Sequence, residues 1–262
     1  MNRLIKAELY RFRHTGNLFW YVIFGTIILA AIPFINNLDM LGKNLAIILG
    51  QEVDTVGTVA NSVTADVSIM MFIMLMPPII AVISGQLYNK GKLGYYENMT
   101  GNKPSRIILS KVFTDGLIFA VLCMFAMLGF YFYIASVNGT GTLDNPVGKL
   151  VLEMILITHV SVCSVMIMMT VRRPGVAGVL CYMRFLIFDS VVIPFFMMIA
   201  GNLGLEKLAL HLGYLSMMNK MQIGLHAAVD RTVVLYTVFG FIAEFILWYV
   251  LIYRGLKKKH FD

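Results

Sequence analysis

The sequence predicts an all-α integral membrane protein with six transmembrane helices and both termini on the cytoplasmic side. Three observations carry this: the apolar content, the length of the apolar blocks and the placement of the basic residues. Of 262 residues, 59% are hydrophobic and only 13% are charged, against roughly 45–50% and about 25% in an ordinary soluble domain. The apolar residues gather into blocks at 18–35, 67–87, 112–137, 150–171, 176–200 and 232–253. A helix needs about 20 such residues to cross a hydrocarbon core of about 30 Å. Lipid cannot satisfy exposed backbone groups, and the blocks lack the alternating pattern of a membrane barrel, so helices are the expected form. One transmembrane domain covers the chain, with no room left for a separate soluble catalytic domain.

Lys and Arg set the orientation. The N-terminal segment carries Arg3, Lys6, Arg11 and Arg13, and the connection between spans two and three carries Lys90, Lys92, Lys103, Arg106 and Lys111. Arg172 and Arg173 follow span four, and Arg254, Lys257, Lys258 and Lys259 follow span six. The opposite side holds only Lys43, Lys149, Lys207, Lys220 and Arg231 as basic residues, with Asp39, Glu52, Asp54, Asp66 and Asp144. The formal charge of +7 therefore reads as membrane topology and not as a nucleic-acid footprint. Cys123, Cys163 and Cys181 lie inside apolar blocks without CxxC spacing, which supports neither a disulfide framework nor a zinc site. Reading the first block as a signal peptide would leave five spans and spoil the charge alternation.

Within residues 1–17, Leu4, Ile5, Leu9 and Phe12 share a face at helical spacing. Such a helix suits the inner headgroup layer; a plain basic anchor for span one fits the same residues. The cytoplasmic segment 89–110 sets Leu93, Tyr95, Tyr96, Glu97 and Met99 before a Gly-Asn-Lys-Pro break. Its aromatic and apolar set fits either a short helix pressed into a partner or a solvated loop. Segment 201–231 is too apolar for a loop and too interrupted for two spans. It reads as two short helices, around Gly213 and Gly224, dipping into the outer leaflet. Pro77, Pro78 and Pro194 should kink their helices without ending them.

Ionisable groups at membrane depth are expensive and are the first functional candidates. Glu244 falls near the middle of span six and His159 near the middle of span four. Each suits a translocation role or an interhelical hydrogen bond, the two with each other among the options. Arg184 and Asp189 share span five, five residues apart and so on different faces of an α-helix, with Arg184 free to snorkel toward the inner headgroups. Asp115 and Glu153 lie near span ends, within reach of water. Met70, Met71, Met74 and Met76 offer an adaptable surface to a hydrophobic cargo, or simply fill helix contacts. The sequence has no GxxxxGK[ST] loop, HExxH pair or GxSxG elbow. Its histidines, His14, His159, His211, His226 and His260, are too scattered to suggest a metal cluster.

The chain resembles the bacterial ATP-binding-cassette type-2 permeases, including the small permeases of peptide-antibiotic export and lantibiotic immunity. MNRLIKAELYRFRHTGNLFW is similar to the family's interfacial elbow helix, and ISGQLYNKGKLGYYENMTGNKPSRIILSK to its second-span exit, coupling helix and return into span three. The dipping segment before span six also matches. The resemblance implies a non-enzymatic permease subunit in the bacterial cytoplasmic membrane that exports a hydrophobic or amphipathic cargo. It would pair with a second permease copy or a related one and dock cytoplasmic ATPase subunits through Leu93, Tyr95, Tyr96, Glu97 and Met99. ATP and Mg would belong to those subunits, with no cofactor on this chain. An ATPase-independent secondary transporter or channel is the alternative, and an intramembrane protease a third class.

Overall fold

The computed structural model describes residues 2–14, 79–83, 103–122, 146–171, 173–217, 220 and 231–258, together with positions 124, 125, 128 and 132. These are almost entirely helical, with no strand among them. In chain order the helices are α1 (Asn2–His14), α2 (Pro104–Lys111), α3 (Pro146–Val171), α4 (Pro174–Tyr182), α5 (Ile193–Asn202), α6 (Glu206–Leu215) and α7 (Arg231–Lys258). Two π-helical segments interrupt the α geometry, Val112–Leu117 directly after α2 and Met183–Val192 between α4 and α5.

Three helices are long and apolar enough to cross a membrane: Val151–Val171, Pro174–Asn202 and Arg231–Lys257. They fall on the apolar blocks expected at 150–171, 176–200 and 232–253. The blocks expected at 18–35 and 67–87 lie outside the described residues apart from 79–83, as do Pro77, Pro78 and Met70 to Met76. The helix expected from 112 already starts at Pro104. Proline at the first helical position sacrifices an amide that would have no intrahelical partner, so the Lys103-Pro104 step is a good place to begin.

Burial separates the roles of the three. In the apolar window of α3, 72% of residues are buried within the chain, against 33% for Pro174–Asn202 and 11% for α7. The α3 helix is therefore the hub: it packs on α7, on α4 and on the Val112–Leu117 segment. Val160, Cys163, Met166 and Ile167 of α3 are wholly buried, and Phe241, Phe245 and Trp248 of α7 lie partly buried against that core. The outward faces stay apolar, with Phe195, Phe196, Phe239 and Ile246 all exposed. That pattern suits lipid, where water would penalise it.

Several hydroxyl groups inside these helices return to their own backbone, whereas the buried Ser161 Oγ of α3 has no partner among the described residues. Thr114 donates to Ser110 O at 2.8 Å, Ser164 to Val160 O at 2.6 Å, Thr170 to Met166 O at 2.9 Å and Thr237 to Val233 O at 2.7 Å. In an apolar surrounding such back-bonding spares the hydroxyl an unsatisfied donor. Helix α5 ends in a paired turn: Leu205 N–H donates to Ala200 O at 2.9 Å and Gly204 N–H to Gly201 O at 3.0 Å. The turn needs a left-handed residue, and Gly204 supplies it at φ 72°. The chain then reverses into α6, which packs against α5 and α7. Within the dipping segment expected at 201–231, α6 is the first short helix, and an extended Ser216 ends it.

Gly116 sets how closely the Val112–Leu117 segment approaches α3. A Cβ there would stand 3.3 Å from Val162 Cα and 3.3 Å from Val162 Cγ2. The Cα belongs to the α3 backbone and cannot rotate away. G116V should cost about 1–3 kcal/mol, the usual range for overpacking, and G116A less. Unfolding of the detergent-solubilised protein by SDS titration measures both; a G116V protein as stable as the native chain would show that this contact is not tight.

Candidate functional site

Four ionisable side chains from three separate stretches of sequence meet inside the bundle. Helix α7 contributes Glu244, α3 contributes His159, and the Met183–Val192 segment contributes both Arg184 and Asp189. Each comes from the middle of an apolar helix, where an isolated charge is costly. Bringing them together lets each act as partner to another.

The carboxylate of Glu244 is the centre. Its Oε2 accepts from His159 Nε2 at 2.9 Å and from Arg184 Nη2 at 2.7 Å. Its Oε1 accepts from Arg184 Nε at 3.0 Å and from Trp248 Nε1, one turn along α7, at 3.3 Å. The Arg184 contact is thus bidentate, the strong geometry for guanidinium and carboxylate. The remaining arm of the fork, Nη1, donates to Asp189 Oδ1 at 3.0 Å. The guanidinium also lies 5.3 Å from the ring centroids of Phe185 and Phe188. The His159 ring is held against Phe241, 5.1 Å between centroids.

The Arg184–Asp189 contact corrects an expectation. At 3.6 residues per turn, positions five apart point to different faces. The segment is a π-helix, however, and i→i+5 bonding stacks residue i+5 roughly above residue i. Pro194 stands just beyond its end, at the start of α5. Arg184 was also expected to snorkel toward headgroups. It turns instead to the two carboxylates, which compensate its charge inside the chain.

Asp189 carries the network to a further stretch. Its side chain is fully buried; Oδ2 accepts the Met217 amide at 3.1 Å, and its main-chain oxygen accepts from Ser216 Oγ at 3.3 Å. Ser216 is extended, and the Lys220 amide closes onto Ser216 O at 3.2 Å. The turn that starts after α6 thus has its first amide capped by a carboxylate from another helix, satisfying a donor that no intrahelical carbonyl can reach. Lys220 at the far end of that turn is 1% exposed. Its Nζ lies 3.9 Å from where a Cβ on Gly240 would stand, and Gly240 is one turn before Glu244. Burial pushes the Lys220 ammonium down to about 8, with the charge of Asp189 pulling the other way.

One of the remaining expectations changes. Asp115 and Glu153, placed within reach of water by sequence position, are 3% and 7% exposed, because Val112–Leu117 and α3 pack face to face. Of the histidines, His159 has donor atoms of Cys163 and Glu244 nearby, all within 4.8 Å of one another. Both Glu244 oxygens already accept from His159, Arg184 and Trp248, and a cation would sit beside the guanidinium. The arrangement is that of an ion-pair network. Leu93, Tyr95, Tyr96, Glu97 and Met99 lie outside the described residues.

Reading the sequence for charges places Lys220 on the opposite side and does not single out Trp248. The signal for Trp248 is its spacing four residues after Glu244, which sets a donor and a carboxylate on one face of α7.

Because two carboxylates share one guanidinium, the two charged ends should not be equivalent. R184M strips both Asp189 and Glu244 of their main partner and should cost about 3–5 kcal/mol, as for other broken buried pairs. E244Q leaves Arg184 its Asp189 partner and should cost about 1–3 kcal/mol. Unfolding free energies in mixed micelles test the order, and E244Q proving the more harmful would contradict it. Compared with known proteins, the chain matches no family model, no curated protein and no solved structure.

Proposed function

We propose that the chain is the membrane-spanning permease subunit of a bacterial ATP-binding-cassette type-2 transporter. In this reading it has six spans with both termini in the cytoplasm. It works as a dimer with itself or a related permease, and exports a hydrophobic or amphipathic cargo such as a peptide antibiotic. ATP and Mg bind to separate cytoplasmic ATPase subunits, and this chain performs no covalent chemistry.

The observation that carries the reading is the placement of α1. It is a short basic helix outside the apolar blocks, with Leu4 and Ile5 half-buried and Lys6 and Tyr10 exposed. It packs against α2 and Val112–Leu117, at the foot of the helix expected to form the third span. A helix in that position suits the inner headgroup layer, apolar side in and basic side toward anionic lipid. Lys103, Arg106 and Lys111 gather at the same end, and Arg173, Arg254 and Lys257 flank the corresponding ends of α4 and α7. That asymmetry supports a cytoplasmic location for this end, where force from an ATPase would enter through segment 89–110.

A second reading draws on the charge network. Buried His159 and Asp189, with partly buried Arg184 and Glu244, are the kind of intramembrane group that marks ion pathways in secondary transporters, which need no ATPase.

The two readings differ in one experiment. Tagged permease purified from the membranes of its source cells should bring down a Walker-motif ATPase and raise that subunit's ATP turnover several-fold, and the Tyr95→Ala/Tyr96→Ala variant should weaken both effects. Transport that persists without any ATPase, driven by an ion gradient, would favour the second reading and sink the first.

A further inference from the structure

We propose that His159 Nδ1 is a proton-binding site inside the membrane, filled when the Lys220 ammonium leaves the network, so that one positive charge is shared between α3 and the turn at Ser216–Lys220. The proposal goes beyond the transport reading and holds whether or not an ATPase drives the chain.

The first ground is charge balance. Among the described residues the groups that act on His159 are Glu244 on α7, Arg184 on the π-helical segment and Lys220, with Cys163 beside it on its own helix; Asp189 joins through Arg184, and Cys181 on α4 lies near Cys163. Asp189 and Glu244 bring two negative charges. Arg184 brings one positive charge and Lys220 the second, which leaves a neutral imidazole. Without Lys220 the buried network would hold one uncompensated negative charge, a state that low-dielectric surroundings penalise heavily.

The second ground is where a proton could go. Both Glu244 oxygens already accept hydrogen bonds, two on each. Asp189 Oδ1 accepts from Arg184 and Oδ2 from Met217. Protonating any of these four oxygens would disturb an existing donor. His159 Nε2 donates to Glu244, so its Nδ1 is the bare nitrogen of the ring. That atom is buried and has no hydrogen-bond partner among the described residues. A proton from water can add to its lone pair without breaking any hydrogen bond among the described residues, and the imidazolium so formed still donates through Nε2 to Glu244.

The third ground is that Lys220 is the member able to leave. Arg184, Asp189 and Glu244 are built into long helices. Lys220 lies in a short helical stretch that begins where Ser216 and Met217 bond to Asp189, and its ammonium lies 3.9 Å from where a Cβ on Gly240 would stand, an ordinary van der Waals contact that a longer side chain there would overrun. The ammonium is also loosely protonated, titrating at about 8 in place of 10.5.

The test is the protonation state of His159 in full-length protein labelled with nitrogen-15 histidine, in lipid nanodiscs at pH 7, its signal identified by loss in H159Q. The native chain should show one protonated and one bare ring nitrogen. K220M should lose the bare-nitrogen signal, whereas K220R should keep it. G240M should act like K220M, because it fills the ammonium's place while leaving the lysine in the sequence, and it serves where K220M does not fold. Combining K220M with D189N removes one charge of each sign and should restore the bare nitrogen. A folded K220M or G240M protein that retains the bare nitrogen overturns the proposal, as does a K220M/D189N protein whose ring stays doubly protonated.

Discussion

The structure depends on compensating Arg184 where water cannot do so. A guanidinium is always charged, and near the middle of an apolar helix it must find its counter-charges within the chain. Glu244 and Asp189 supply them from opposite directions, one from α7 and one from the same helix. Glu244 in turn holds His159 on α3. The requirement of one cation thus fixes which faces of three long helices meet. This matters because the helices gain little hydrophobic free energy from one another in lipid, and packing and polar contacts must specify their arrangement.

The π geometry makes the solution possible. In an α-helix Asp189 would face away from Arg184 and would itself be an uncompensated buried charge. Widening the turn across Met183–Val192 aligns the two and leaves the other Asp189 oxygen to cap the turn after α6. Position in the bundle, charge compensation and the docking of the segment after α6 are therefore coupled through one carboxylate. The wider helix makes contacts that an α-helix could not make, and π segments are frequent where a helix must accommodate such contacts.

Much of the architecture was legible from hydropathy, because the bilayer imposes length and apolarity on each helix regardless of detail. The three long helices fall on three of the apolar blocks, and the intramembrane candidates Glu244, His159, Arg184 and Asp189 stood out by cost alone. Which of them touch was less legible. Helical-wheel reasoning assumes 3.6 residues per turn, and so it separated Arg184 from Asp189; nothing in MRFLIFDSVV announces a wider turn. Lys220 was read as an outer-side charge because it lies between the apolar blocks 176–200 and 232–253, while its burial comes from packing beside Gly240 on a different helix. Burial of Asp115 was missed for the same reason: it rests on how closely Gly116 lets α3 approach, a tertiary fact.

The central claim is that Arg184 and Glu244 act as one unit across two helices. A double-mutant cycle on unfolding free energy, with R184M, E244M and the double variant, measures it most directly. The account predicts that the double variant loses less stability than the two single losses combined, by about 1–3 kcal/mol, the range for residues in direct contact. Losses that add to within about 0.5 kcal/mol would mean that the two side chains do not meet, and the network would have to be abandoned.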